Sequence, residues 1–280
     1  MCSPRVASAS TGAAAEATPA AHRAPRARPA AKTSPLRSAP VLRRAAGEPT
    51  RARPPADMGT QRVYHVTHAA NLGSILDTGT LFSDSESSFR PAVDISSEAN
   101  RATRRELRIA RLDAGDYDGD GTVVADYVPF FLAPNSSVWD VIRGDGSDAR
   151  LSRAATSAAA SDFIILVSTV KTLEGHFPLA GSGGYPIVVT DGDATAAATR
   201  FGVSRESATR MLGALRANEN PAIFDAEYLV PGPLPFELVS LIGVANDRVR
   251  DTVRQLLAPS QFTPKVAVYP PWFQREPVLS

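Results

Sequence analysis

Cysteine is almost missing from the sequence, and several common metal- and nucleotide-binding motifs do not occur. The one cysteine is Cys2, so the chain forms no internal disulfide and offers no cysteine-based metal site or thiol nucleophile near its other motifs. The four histidines show no HExxH spacing, and we therefore expect no metal. Walker A and strand-following GxGxxG motifs are missing too, which excludes P-loop and Rossmann modes of nucleotide binding.

Long apolar runs are also missing. No uninterrupted run approaches the roughly 20 apolar residues that a membrane-spanning helix needs. The hydrophobic fraction of 43% and the charged fraction of 21% are typical of an ordinary globular protein. We therefore expect no membrane partner and a cytoplasmic location.

Large apolar side chains are scarce in residues 1–58, which consist mainly of Ala, Pro, Arg and Ser. Such a segment cannot bury enough surface to offset the entropy of ordering, so we predict a disordered tail before one folded domain at 59–280. Residues 1–57 hold 10 basic and three acidic residues, which leaves 20 basic and 26 acidic residues in the remainder. A nucleic-acid-binding arm, a transit sequence and a dispensable extension are the three interpretations of this basic tail.

Strand-like and helix-like segments alternate after the tail. Strand patterns occur at 62–68, 123–132, 163–170, 185–190, 224–230, 238–245 and 265–269. Helix patterns occur at 69–77, 204–217 and 246–257, with Ser204 as an expected N-cap and Gly79 as an expected C-cap. We predict an α+β fold with six or more strands, and loops at 83–89 and 113–121.

The first strand carries the motif YHVTH at 64–68, and Asn71 follows it. Side chains alternate along a strand, so His65 and Thr67 project to the same face. A His/Thr pair beside the start of a helix can hydrogen-bond a ribose hydroxyl or a carboxamide. A purely structural role for the pair is the alternative.

Arginines are concentrated between residues 100 and 111. The cluster comprises Arg101, Arg104, Arg105, Arg108 and Arg111. A guanidinium group stays charged and pairs bidentately with phosphate oxygens, so the cluster suits a pyrophosphate or a nucleic-acid backbone. A solvated helix face is the alternative.

Glu227 is an acid within the apolar segment 224–230, and strand alternation places it on the face opposite Ala226 and Tyr228. A buried carboxylate needs an ion pair or hydrogen bonds to tolerate the low dielectric. This requirement makes Glu227 a candidate for function, with a salt-bridged edge position as the alternative.

In their order along the chain, YHVTH at 64–68, DYVPFF at 126–131 and AEYLV at 226–230 resemble motifs of the DarT family of NAD-dependent DNA ADP-ribosyltransferases. The resemblance extends over about residues 62–272. It implies an ADP-ribosyltransferase-like core of mixed and antiparallel strands with flanking helices. It also implies NAD as substrate.

Residue roles follow from the same resemblance. Glu227 matches the family's catalytic glutamate, and Arg104 matches its essential arginine, with Arg101 and Arg105 as the alternatives. The residues implied to bind NAD are His65, Val66, Thr67, Asn71, Ser74, Arg101 and Arg105.

The implied activity is toxin-like transfer of ADP-ribose from NAD to a base in single-stranded DNA, with a macrodomain antitoxin as the partner that reverses it. Family members often carry Thr-Asp-Arg-His or Thr-Asp-Gly-His before the catalytic glutamate, whereas this chain has TDGD at 190–193. That departure leaves the modified base open. An NAD-dependent enzyme of the same fold acting on RNA and an inactive nucleic-acid-binding module are the two alternative functions.

Overall fold

The structure, a computed structural model, describes residues 57–109, 122–144, 146–177, 186–217 and 220–275. The predicted tail at 1–58 therefore lies outside the described residues except for Asp57 and Met58. The predicted loop at 113–121 also lies outside them.

Strands and helices alternate along the described residues. The strands are β1 (Arg62–His68), β2 (Thr80–Leu81), β3 (Tyr127–Phe131), β4 (Phe163–Thr169), β5 (Val188–Thr190), β6 (Phe201–Gly202), β7 (Glu227–Pro231), β8 (Leu234–Pro235), β9 (Leu241–Val244) and β10 (Lys265–Val268). The α-helices are α1 (Leu72–Thr78), α2 (Glu98–Glu106), α3 (Ser137–Arg143), α4 (Arg153–Ser157), α5 (Val170–His176), α6 (Arg205–Arg216) and α7 (Asp247–Leu257).

Eight of these strands form one mixed sheet in the order β10-β9-β4-β1-β3-β7-β5-β6. All its neighbouring strands are antiparallel except β9 and β10, which run parallel. The predicted α+β class is thereby confirmed. β2 and β8 form a separate two-stranded sheet.

Apolar side chains cover both faces of the sheet. In β4, Ile164 and Leu166 pack into the larger cluster with α1, α6 and α7, whereas Ile165 and Val167 pack into the cluster that contains Trp139 of α3. Burial on both faces explains why the sequence of β4 is continuously apolar rather than alternating.

The two predicted helix caps, Ser204 and Gly79, are both confirmed. Ser204 caps α6 through its side chain, and Gly79 ends α1 with a left-handed φ of 66°. A left-handed residue after the last turn is the usual role of glycine at a helix C-terminus. The predicted helix at 69–77 begins instead as a 3-10 turn at Ala69–Asn71, where His68 accepts a hydrogen bond from Ala70 N.

Four strands begin later than predicted. Short 3-10 helices occupy Val124–Asp126, Pro221–Phe224 and Phe236–Leu238, so β3, β7 and β9 begin later than predicted. Local side-chain bonds cause two of these turns: Asp126 accepts from Val123 N, and Asn220 accepts from Ala222 N. The fourth strand, β5, begins at Val188, and Tyr185 lies outside the described residues.

Candidate active site

Arg104 of α2 and Glu227 of β7 form a buried ion pair. Arg104 Nη1 lies 3.1 Å from Glu227 Oε2 and 3.3 Å from Oε1, and the two residues are 5% and 4% exposed. Ala194 N donates a second hydrogen bond to Glu227 Oε1 at 2.9 Å. The carboxylate therefore has both an ion pair and a backbone hydrogen bond. A buried acid needs such partners to tolerate the low dielectric.

The ion pair with Glu227 does not use every hydrogen-bond donor of Arg104. Its Nε lies 3.9 Å from Asp84 Oδ2, and its Nη2 has no hydrogen-bond partner among the described residues. A buried donor left unpaired costs about 1–3 kcal/mol, and more when it is charged. An acceptor atom on a bound molecule would remove this penalty.

The pair lies in the wall of a cavity of about 110 Å³, here named the glutamate cavity. Its lining is mainly apolar, with a few polar groups that converge on it. The lining residues are Val66, Ile95, Ser96, Asn100, Arg104, Phe131, Val138, Trp139, Ile142, Arg150, Leu151, Asp193, Asp225 and Glu227. An apolar cavity with a few placed polar groups is the usual form of a small-molecule site.

A second cavity of about 130 Å³, here named the histidine cavity, adjoins the first and shares Val66, Ile95 and Ser96 with it. Its other lining residues include His65, Thr67, Asn71, Phe82, Asp84, Phe89, Val93, Asp94, Arg101 and Pro129. Two molecules, or two parts of one, can therefore meet at the shared residues.

His65 is held in a defined state at the histidine cavity. β1 and β3 are paired at Tyr64 and Phe131. Beside this pair, the His65 side chain of β1 connects the two strands by a hydrogen bond to Pro129 of β3. Its Nδ1 donates to Pro129 O at 2.8 Å. Burial lowers the pKa of His65, outweighing the opposite effects of that bond and of Asp84. The ring is therefore neutral at pH 7, and Nε2 can accept a hydrogen bond from a hydroxyl.

Asn71 connects two segments that line the histidine cavity. Its Nδ2 donates to Thr67 Oγ1 at 3.1 Å and to Val93 O at 2.8 Å, while its Oδ1 accepts from Val93 N at 2.8 Å. These bonds join β1 to the chain that leads into α2. Asn71 acts in this structure as a brace for the cavity wall.

Of the other residues predicted to bind NAD, Arg101 lines a cavity, whereas Arg105 and Ser74 do not. Arg101 lines the histidine cavity and pairs with Asp94 at 2.5 Å. Arg105 is exposed and pairs with Glu98, and the Ser74 hydroxyl donates to Asn71 O. Neither Arg105 nor Ser74 lines either cavity.

Sequence reasoning missed several residues of the glutamate cavity. Asn100 donates to Ser96 Oγ at 2.8 Å, and Arg150 pairs with Asp193 at 2.6 Å. The sequence did mark Asp193 as unusual, because it stands where family members often carry histidine. Asn100 and Arg150 belong to no motif and are brought to the cavity only by the fold.

Among the described residues, no cluster of His, Cys, Asp and Glu could hold a metal ion. In the same part of the chain, no helix has the length and apolar character needed to cross a membrane.

The fold is similar to that of solved DarT structures. DarT of Thermus sp. 2.9 in complex with ADP-ribosylated single-stranded DNA matches with a TM-score of 0.61 and 24% identity, over 76% of this chain and 96% of that one. The same protein in complex with NAD+ matches with a TM-score of 0.57 and 24% identity, over 76% and 98% of the two chains.

Residues 64–274 match the family model described as DarT, single-stranded DNA thymidine ADP-ribosyltransferase. The chain belongs to the DarT family, and the family, fold and enzyme class predicted from its motifs are confirmed. A DNA ADP-ribosyl transferase of Mycobacterium tuberculosis is 29% identical over 241 residues, 80% of this chain and 92% of the relative. A DNA ADP-ribosyl transferase of Thermus sp. is 24% identical over 220 residues, 75% and 95% of the two chains.

Proposed function

We propose that this enzyme transfers ADP-ribose from NAD to thymidine in single-stranded DNA, with Glu227 and Arg104 as its catalytic residues. The observation that carries the proposal is the buried Arg104–Glu227 pair in a cavity that adjoins the histidine cavity. The description of the matching family names thymidine in single-stranded DNA. The complexes of Thermus sp. 2.9 DarT with NAD+ and with ADP-ribosylated single-stranded DNA support the same two substrates.

NAD occupies the histidine cavity in this proposal. Neutral His65 accepts a hydrogen bond from a ribose hydroxyl through Nε2, and Thr67 lines the same wall. Phe82 and Phe89, whose ring centroids lie 4.9 Å apart, offer an apolar side for a flat ring. Arg101 supplies positive charge for the pyrophosphate.

The thymine base enters the glutamate cavity. A stacked and paired base cannot reach a cavity of this kind, which explains a preference for single strands. N3 is the one ring nitrogen of thymidine that is not already bound to deoxyribose, and it is flanked by two carbonyl oxygens. Those oxygens are suitable acceptors for the unpaired Nη2 of Arg104.

The chemistry follows from where charge develops. The bond between ribose C1′ and the nicotinamide nitrogen breaks, and its electron pair leaves with neutral nicotinamide. The Glu227 carboxylate stabilises the resulting oxocarbenium ion. Arg104 stabilises the imide anion that forms when thymine N3 loses its proton to solvent, and N3 then bonds to C1′.

Mass spectrometry of short oligonucleotides tests the proposal. Three single strands are incubated with NAD: DNA with one thymidine, the same DNA with cytidine in its place, and RNA with uridine there. We expect an ADP-ribose adduct on the thymidine strand alone. An adduct on RNA alone would favour the RNA-modifying alternative, and intact strands with intact NAD would favour the inactive binding module.

We also propose a cytoplasmic location and a macrodomain partner that removes the adduct. The structure of Thermosipho africanus DarTG in complex with ADP-ribose is similar to 76% of this chain over 51% of its own length, with a TM-score of 0.54 and 16% identity. The proposal predicts that a co-expressed macrodomain hydrolase restores growth to cells that make this enzyme. Continued growth arrest despite an active hydrolase would contradict it.

A further inference from the structure

The chain segment next to Glu227 is fixed by Asp193. Asp193 Oδ1 accepts hydrogen bonds from Thr195 N and Thr195 Oγ1, both at 2.8 Å. Its backbone oxygen accepts from Ala196 N at 3.0 Å and from Thr199 Oγ1 at 2.6 Å. These bonds define the turn whose second residue, Ala194, donates to Glu227 Oε1.

Arg150 holds the other oxygen of Asp193. Arg150 Nη1 lies 2.6 Å from Asp193 Oδ2, and both residues line the glutamate cavity. The guanidinium group is held in turn by Asp148, to which Nε and Nη2 donate at 3.0 and 2.6 Å. Arg150 is therefore a fixed anchor with little rotational freedom.

Arg150 is also connected to the helix that carries Arg104. Its backbone oxygen accepts from Ser97 N at 2.8 Å, and the neighbouring Ala149 O accepts from Ser97 Oγ at 2.6 Å. Ser97 is the N-cap of α2. One residue thus contacts the start of the Arg104 helix through its backbone and the Glu227 turn through its side chain.

We propose that Arg150 and Asp193 are positioning residues, whose ion pair holds the Arg104 helix and the Glu227 turn in the relative position that catalysis needs. This inference rests on the proposed function of Arg104 and Glu227. We name the Arg150–Asp193 ion pair the clamp. A misplacement of about 1 Å in a catalytic group can lower a rate by about 10²-fold, so loss of the clamp should have a measurable effect on the rate.

The clamp keeps its charge through the neutral pH range. Burial alone would raise the pKa of Asp193, but the hydrogen bonds from Thr195 and the charge of Arg150 outweigh it and hold the pKa below its ordinary value. The hydrogen bonds to Asp148, and after them the ion pair with Asp193, raise the pKa of Arg150. The clamp is therefore present wherever NAD-dependent transfer is measured near pH 7.

Steady-state kinetics on the full chain test this inference with four variants: Asp193→Ala, Asp193→Asn, Arg150→Ala and Arg150→Gln. We expect the two alanine variants to lower kcat by about 10- to 100-fold while KM for NAD changes less than about threefold. Asp193→Asn retains an acceptor for Thr195 and should recover part of the lost kcat.

The Asp191–Arg200 pair provides a matched control. Arg200 Nε lies 2.6 Å from Asp191 Oδ2 near the same turn, and the Arg200 side chain is 83% exposed. Neither residue lines the glutamate cavity. Arg200→Ala should therefore keep the wild-type kcat.

Three results would overturn the inference. The first is wild-type kcat in all four variants. The second is a higher KM for the oligonucleotide with unchanged kcat in the Arg150 variants, because that result would make Arg150 a DNA contact. The third is a loss of kcat in Arg200→Ala as large as that in the Arg150 and Asp193 variants.

If an alanine variant fails to fold, the kcat values of Asp193→Asn and Arg150→Gln test the inference. A wild-type enzyme that does not modify thymidine would instead refute the proposed function.

Discussion

Arg104 Nη1 lies 3.1 Å from Glu227 Oε2, although 123 residues separate the two in sequence. Each charge would be expensive to bury alone, because the desolvation penalty for an ion in a protein interior amounts to several kcal/mol. Each charge is therefore compensated by the other across this contact. Removing one leaves the other uncompensated, so stability and activity have to be measured separately in every variant of this pair.

Glu227→Gln keeps the size of the side chain but removes its negative charge. We expect transfer to DNA to fall by at least about 10²-fold, as for other lost electrostatic stabilisers. NAD affinity, measured by calorimetry, should remain because the His65 wall is untouched. Glu237→Gln is the control, since Glu237 is an exposed acid outside both cavities. A folded Glu227→Gln enzyme with a near wild-type rate would contradict the catalytic role.

Arg104→Gln and Arg105→Gln form a matched pair of neighbours on α2. The Arg104 variant leaves Glu227 buried without its partner, so we expect a loss of about 3–5 kcal/mol in the free energy of unfolding together with lost activity. The Arg105 side chain is 45% exposed, and its variant should stay within about 0.5 kcal/mol of the wild type. Urea unfolding and oligonucleotide modification measure the two effects. Equal behaviour of the two variants would argue against the assignment of Arg104.

Protonation of His65 should weaken NAD binding. Burial lowers the pKa of His65 below the ordinary value of 6.5, so affinity should stay constant from pH 8 to 6.5 and fall on further acidification, when Nε2 becomes a donor. The unfolded chain takes up this proton at higher pH than the folded one, so stability should also decrease as pH falls through 6.5.

Calorimetric titrations of NAD between pH 5 and 8 check the His65 prediction. In His65→Gln the acidic step should disappear and the affinity should be lower throughout the range. An affinity that increases on acidification would show that the charged ring is the form that binds NAD.

Removal of residues 1–57 should leave transfer unchanged. Every residue that lines either cavity lies at position 65 or later, and the tail lacks the apolar side chains needed to join the core. Activity of a chain that begins at Met58 is compared with the full chain at low and at moderate salt. A loss that is restored at low salt would instead identify the tail as a basic arm that recruits nucleic acid.

Local sequence patterns predicted the parts of the fold that depend on local physics. Alternation placed Glu227 opposite Tyr228, and the apolar run at 163–170 predicted the strand β4. Helical spacing alone could not choose between Arg104 and Arg105, because successive residues differ by only about 100° around the axis and the inward direction depends on packing. The choice of Arg104 came from a match of motifs.

Contacts between residues distant in sequence could not be predicted from local sequence patterns. Arg150 reaches Asp193 across 43 residues, and no motif marks Arg150. The 3-10 turns before β3 and β7 depend on side-chain caps that compete with the extended conformation that their apolar residues favour. These features require the folded chain, because residues distant in sequence decide them.

One wall of the glutamate cavity is supported by the turn that follows β10. Trp139 Nε1 donates to Trp272 O at 2.5 Å, and its ring meets Phe273 edge-on. Trp139 lines the cavity that Val66 of β1 also lines, so residues from both ends of the domain build one wall. The first strand of the domain and its final turn therefore have to be present together for this part of the cavity to be supported.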